Sequence, residues 1–254
     1  MQIKALIFDM DGVIMDSMGM WKTLVEDYLR SLGIEPGSIF NTDLQTMNMA
    51  QSAAFVKKKF EIEKTEEQII SDISSKVKDF YLNEGEPKTG AADMLAGLKD
   101  AGFRICMATA TERPLAEAAL ARNGLLEYFE FIITNSDVGK GKNDPAIFEG
   151  AVSILNSSDA GMEYSHDKAA AFFKNNENGV SSVSGETGGS LNEIKKEETM
   201  IVEDSLVAVR TATRAGFKAC GVYDENESFL FPQLKETADV TVMSLRELID
   251  IVGV

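Results

Sequence analysis

Cysteine, histidine and basic residues are all scarce in this chain of 254 residues. The two cysteines, Cys106 and Cys220, both fall inside apolar, strand-like runs. Such positions suit small core residues better than a redox or metal pair, and they fit a reducing, cytoplasmic location. No apolar run approaches the ~20 residues that cross a bilayer, so no membrane partner is expected. Met1 leads directly into the first strand-like run, and no signal or transit segment is read there. With 25 basic against 41 acidic residues the formal net charge is −16. That balance argues against sequence-independent nucleic-acid binding, which relies on basic surface to neutralise phosphates. Any anionic ligand must then be drawn in by local cations or a metal, because the global field repels it.

What the chain does have is concentrated near its start, in IKALIFDMDGVIMDS from Ile3 to Ser17. Ile3 and Ala5 to Phe8 read as a short buried strand, followed by Asp9, Asp11 and Gly12. An i, i+2 pair on extended backbone points to one side. The glycine permits a sharp turn that lifts both acids off the strand end. In open parallel α/β sheets ligands bind beyond the carboxyl ends of the strands. Taken alone, the same residues also suit a strand end with a solvated turn.

The length allows one large core or two smaller domains, and a 44% hydrophobic content suits a globular protein. Met18, Trp21, Leu24, Val25, Tyr28, Leu29 and Leu32 recur at helical spacing up to Gly33. Two further helices are predicted, Asp43 to Phe60 and Thr65 to Asn83, the second opening with a Thr65/Gln68 capping-box pattern. Beyond Gly85-Glu86-Pro87 strands and helices alternate. The strands are Phe103 to Ala108, Phe131 to Thr134, Met200 to Glu203, Lys218 to Val222 and Val240 to Met243. This alternation predicts a doubly wound, Rossmann-like parallel sheet, with an all-helical domain inserted after its first strand. The expected division is 1–15 and 87–254 for the α/β core and 16–86 for the helical domain. Residues 156–198, rich in Ser, Gly and Asn, read as a polar, partly disordered surface insertion in which only His166 to Lys174 suits a short helix.

Four strand ends carry polar groups: Asp9 and Asp11; Thr109-Ala110-Thr111; the loop Gly139-Lys140-Gly141-Lys142; and Glu203-Asp204-Ser205. A Thr-Ala-Thr run ahead of a helix offers hydroxyls and amides to an anion. Each piece alone has a plainer reading as a helix cap or a solvated loop. Together they form a far more specific pattern.

In order and spacing these stretches resemble the haloacid dehalogenase-like (HAD) hydrolase superfamily. The likeness is to its helical-cap branch, which includes β-phosphoglucomutase and phosphoglycolate phosphatase-like proteins. The resemblance implies Asp9 as nucleophile, Asp11 as general acid/base, and Thr109 with the Ala110 amide as phosphoryl holders. It implies Lys142 as the motif-three lysine, three residues before Pro145, with Lys140 as a second candidate and Asn143 where the family usually has proline. Glu203 and Asp204 would help bind Mg²⁺, with Asp9 and a backbone carbonyl at Asp11 completing the oxygen ligands. At the ordinary carboxylate value of about 4, Asp9 needs no base to ionise it.

The acid at Asp11 separates the chain from dehalogenase and phosphonatase members, which typically lack one there. A phosphatase or a β-phosphoglucomutase-like mutase remains. The mutases carry a histidine where this chain has Trp21, and no arginine signature stands between Asn41 and Ala54. Its one histidine, His166, reads as incidental. The expectation is therefore a monomeric, Mg²⁺-dependent phosphatase acting on a small phosphorylated metabolite, with Trp21 either lining the substrate site or buried in the cap. A non-catalytic binding protein is the remote alternative.

Overall fold

β1 (Ala5–Phe8) is buried along its whole length, as expected of a central parallel strand covered on both faces. The computed structural model describes residues 2–37, 49–157, 165, 167, 169, 172–173 and 193–254. The chain divides into two units, Met1–Met18 with Gly85–Val254, and Gly19–Glu84.

The second unit is helical. α1 (Met18–Ser31) buries Leu24, Tyr28 and Leu29. α2 (Met49–Lys59) buries Ala53 and Val56, and α3 (Glu66–Asp79) buries Ile69, Ile73 and Val77 at i, i+4 spacing. The Thr65/Gln68 capping box forms in both directions, at 2.9 and 3.2 Å. Past α3 the backbone widens into a π-helical turn, Phe80–Glu84, that buries Tyr81. The predicted start of the middle helix at Asp43, and part of the Asn41 to Ala54 stretch, lie outside the described residues.

The first unit continues with α4 (Ala91–Asp100), β2 (Arg104–Thr109), α5 (Arg113–Arg122), β3 (Ile132–Thr134), the short α6 (Asn135–Val138) and α7 (Ala146–Ser157). After the long insertion come β4 (Thr199–Glu203), α8 (Leu206–Arg214), β5 (Lys218–Val222), α9 (Phe231–Thr237), β6 (Val240–Val242) and α10 (Glu247–Val252). The six strands form one parallel sheet in the order β3-β2-β1-β4-β5-β6. The chain leaves β1 toward β2 on one side and reaches β4 on the other. That reversal is the switch point where such sheets bind ligands.

Alternate residues of the strands feed opposite faces. Ala5, Ile7, Cys106, Ala108, Ile133 and Ile201 join Phe148 and Phe217 in one cluster. Cys106 and Cys220 are buried and not joined in a disulfide, on strands separated by β1 and β4. At ~4.8 Å per strand they stand far beyond disulfide reach.

The described residues of the insertion meet the core at several points. The Asn156 side chain accepts from the Ile194 amide and donates to the Ile194 carbonyl, both at 2.9 Å. The Ser165 amide donates to the Glu130 carbonyl, Ala169 is buried, and Phe172 and Phe173 pack against the main cluster. The physical reason is local: the AAAFF run carries apolar surface that the polar average of the segment conceals. His166 and residues 174–192 lie outside the described residues.

Candidate active site

Strand register brings the four polar ends together. Phe8 pairs with Val202 on β4 and with Met107 on β2, so Asp9 comes level with Glu203 and Ala108, one residue short of Thr109. Thr109 in turn pairs with Thr134 at the end of β3. The Asp9 amide donates to the Val202 carbonyl at 3.0 Å, which fixes the acid at the switch point.

The turn after β1 is held from within. The amides of Ile14 and Met15 both donate to the Met10 carbonyl, and that of Gly12 to the Met15 carbonyl. Met10, Val13, Ile14 and Met15 are fully buried, so the apolar residues flanking the acids anchor the turn that presents them. Gly12 has φ +71°, and a Cβ there would overlap the Asp204 carboxylate. The glycine is needed twice, for its backbone and for the space it leaves.

Lys142 enters from the loop after β3. Its ammonium lies 2.5 Å from Asp9 Oδ1 and 2.5 Å from Glu203 Oε1. Lys140 points elsewhere, pairing with Asp144 at 2.8 Å with its side chain 56% exposed. Asp144 also accepts from the Ala146 amide at 2.9 Å, which ties the loop to the start of α7. Of the two candidate lysines, the fold therefore puts Lys142 beside the acids and Lys140 on the surface.

Asp11 is gripped on both oxygens. Ser17 Oγ donates to Oδ1 at 2.6 Å and Thr111 Oγ1 to Oδ2 at 2.7 Å. The Thr-Ala-Thr run suggests the Thr111 hydroxyl as an anion contact, but nothing in the sequence directs it, or the Ser17 hydroxyl, to Asp11. A serine six residues past the acid and the second threonine of Thr-Ala-Thr become meaningful only when the β1 and β2 ends meet. Thr109 is fully buried, with its hydroxyl accepting from the Thr111 amide at 3.0 Å, while Ala110 is exposed at the strand tip. Trp21 belongs to the helical unit, where its indole N–H donates to the Tyr81 hydroxyl at 3.2 Å.

Burial raises the Asp9 carboxyl to about 8, with Glu203 and Asp11 adding to the shift and Lys142 opposing it. The ordinary value assumed from sequence does not hold, because the sheet end removes this acid from water. Asp204 is raised as well, first by burial and then by the charges of Glu203 and Asp9. Burial alone would pull Lys142 down, but Asp9 and Glu203 outweigh it and hold its ammonium above the ordinary lysine range. Among the described residues three acids therefore face Lys142, with a lesser contribution from Lys88 at Asp204, and the deficit is in positive charge.

That deficit suits a divalent metal. Asp9, Glu203 and Asp204 each offer an oxygen, all within 4.8 Å of one another. Asp9 Oδ1 is buried with no well-aligned hydrogen-bond donor, its close neighbour being the Lys142 ammonium at 2.5 Å. Hard oxygen donors with an unsatisfied buried atom fit Mg²⁺. Glu203 is the most committed of the three, with one oxygen on Lys142 and the other accepting from the Ser205 amide at 3.3 Å.

An open parallel sheet that gathers carboxylates, hydroxyls and a buried ammonium at its switch point is the arrangement of a ligand-handling α/β enzyme. The chain belongs to the haloacid dehalogenase-like hydrolase family, whose model matches residues 3–216. It is 25% identical over 158 residues to the phosphorylated carbohydrates phosphatase of Thermotoga maritima, covering 61% of this chain and 71% of that one. Among solved structures it resembles a Thermotoga maritima protein provisionally assigned as a β-phosphoglucomutase. That likeness has a TM-score of 0.69 at 19% identity and covers 98% of each chain. A Bacillus subtilis protein provisionally assigned as a HAD-hydrolase, YfnB, bound to magnesium, aligns over 100% of both chains with a TM-score of 0.68 at 15% identity. Among the described residues, no helix is long and apolar enough to cross a membrane.

Proposed function

We propose that this hydrolase is a Mg²⁺-dependent phosphatase that cleaves a small phosphate monoester through an aspartyl-phosphate on Asp9. The observation that carries the reading is the Asp9 carboxylate, buried and paired by charge with Lys142 beside two further acids. In a phosphatase site Asp9 attacks phosphorus, and Asp11 gives a proton to the departing alcohol oxygen. Asp11 then takes a proton from water as that water attacks the acyl phosphate, so phosphate leaves and Asp9 is restored. Thr109, the Ala110 amide and Lys142 hold the phosphoryl oxygens, and Glu203 orients Lys142. Asp9, Asp204 and the Asp11 carbonyl would hold Mg²⁺, which would supply positive charge that favours ionised Asp9 and relieves its repulsion from the phosphate.

Residues 16–86 are read as a cap that selects the substrate, with Trp21 among its contacts, and the working unit as a cytoplasmic monomer. The nearest competing chemistry is sugar-phosphate mutation, which needs cationic anchors for a second phosphate.

The test is phosphate release from a panel of phosphate monoesters with and without Mg²⁺, with Asp9→Asn alongside. Metal-dependent release abolished in Asp9→Asn is the expected result. Conversion of β-glucose 1-phosphate to glucose 6-phosphate without net release would make the protein a mutase. Inactivity across the panel would leave a non-catalytic role.

A further inference from the structure

We infer that Ser17 and Thr111 are positioning residues for Asp11, clamping its carboxylate so that the acid meets the leaving oxygen of the ester; this rests on the phosphatase reading above. Each carboxylate oxygen has its own hydroxyl donor, Ser17 at 2.6 Å and Thr111 at 2.7 Å. Two donors on the two oxygens fix the carboxylate plane as well as its place, since rotation about Cβ–Cγ would break both bonds together. The donors come from separate segments. Ser17 closes the turn after β1 and is fully buried, while Thr111 follows β2 and is 7% exposed.

Thr111 is itself held, its amide donating to Thr109 Oγ1 at 3.0 Å. Hydrogen bonds thus run from the threonine read as a phosphoryl holder, through Thr111, to the acid, and on to Ser17. The distance between phosphoryl site and proton donor is set by this chain of contacts and not by a lone side chain reaching across solvent. A hydroxyl is both donor and acceptor. Both can donate to a carboxylate, and one can turn to accept from a carboxylic acid without any heavy atom moving. The same clamp therefore serves the step in which Asp11 gives a proton and the step in which it takes one. A valine in place of Thr111 keeps the branched shape and removes the hydroxyl.

The discriminating property is the leaving group. An alkyl phosphate expels a strongly basic oxygen and depends on a well-placed acid, whereas p-nitrophenolate departs with little help. The measurement is kcat/KM, which reports steps up to departure of the alcohol, for glycerol 1-phosphate and p-nitrophenyl phosphate, with Mg²⁺ present. For Thr111→Val and Ser17→Ala we expect a loss of about 10- to 100-fold on the alkyl ester and less than about 3-fold on the aryl ester. Thr111→Ser, which retains a hydroxyl, should recover most of the alkyl activity. Equal losses on both esters, or no loss on either, would overturn the clamp. Should Thr111→Val fail to fold by circular dichroism, Ser17→Ala decides alone, because it removes the donor to one Asp11 oxygen and leaves the Thr111 bond to the other in place. Wild-type protein inactive on both esters would overturn the phosphatase reading itself, an outcome distinct from any pattern among variants.

Discussion

Gly12 makes room for Asp204: at φ +71° its missing side chain leaves the space that the Asp204 carboxylate occupies. Two motifs almost two hundred residues apart are thereby interlocked by the absence of one carbon. Gly12→Ala adds backbone strain of roughly 1–2 kcal/mol. It also forces Asp204 away from Asp9. We expect the variant to fold with a lower Tm and to lose about 10- to 100-fold in Mg²⁺ affinity. Thermal denaturation across a Mg²⁺ titration checks both effects.

Lys142 is the one cation that the described residues bring into contact with Asp9 and Glu203. Removing it leaves two buried carboxylates without their counter-charge, a defect that costs about 3–5 kcal/mol. Lys142→Ala is therefore expected to lower urea stability by that order and to abolish turnover. Lys140→Ala removes only an exposed pair with Asp144 and should change stability by less than about 1 kcal/mol. Similar behaviour of the two variants would contradict the assigned roles.

Asp9, raised to about 8, and Asp204, raised in the same direction, bind protons more tightly folded than unfolded. As pH rises from the ordinary carboxylate range toward about 8, the unfolded chain gives up these protons first, and metal-free stability should fall. Lys142, also raised, stays charged in both states through this window and does not reverse the sign. Mg²⁺ must displace the same protons, so its stabilising effect should grow with pH. Melting curves at about pH 6 and about pH 8, with EDTA or excess Mg²⁺, test this. A metal effect that is larger at the lower pH would refute it.

Trp21 is the only tryptophan in the chain, so tryptophan emission is sensitive to the surroundings of one indole, whose N–H donates to the Tyr81 hydroxyl. Tyr81→Phe removes that acceptor while keeping the ring. We expect a changed emission maximum and a loss of about 1 kcal/mol in stability. An unchanged emission spectrum would mean that the bond does not persist in solution.

Much of this architecture is legible in the residues. Alternating apolar runs and glycine stops mark the strands and helices of the parallel sheet, and the Thr65/Gln68 pattern marks the start of α3. Acids, hydroxyls and lysine at strand ends mark the candidate site. Within the insertion, the described Ala169, Phe172 and Phe173 join the core, an apolar contribution that the polar composition of the segment conceals.

Local sequence determined which residues stand at the carboxyl ends of strands, because hydrophobic periodicity and turn chemistry act over a few neighbours. Only the tertiary structure decided how those ends share charge and hydrogen bonds. Register set Asp9 level with Glu203, turned Lys142 inward and Lys140 outward, and brought Ser17 and Thr111 onto Asp11. The reason is that burial and Coulomb energy depend on distances through space. A carboxyl that looks ordinary in sequence is raised to about 8 only once the sheet closes around it.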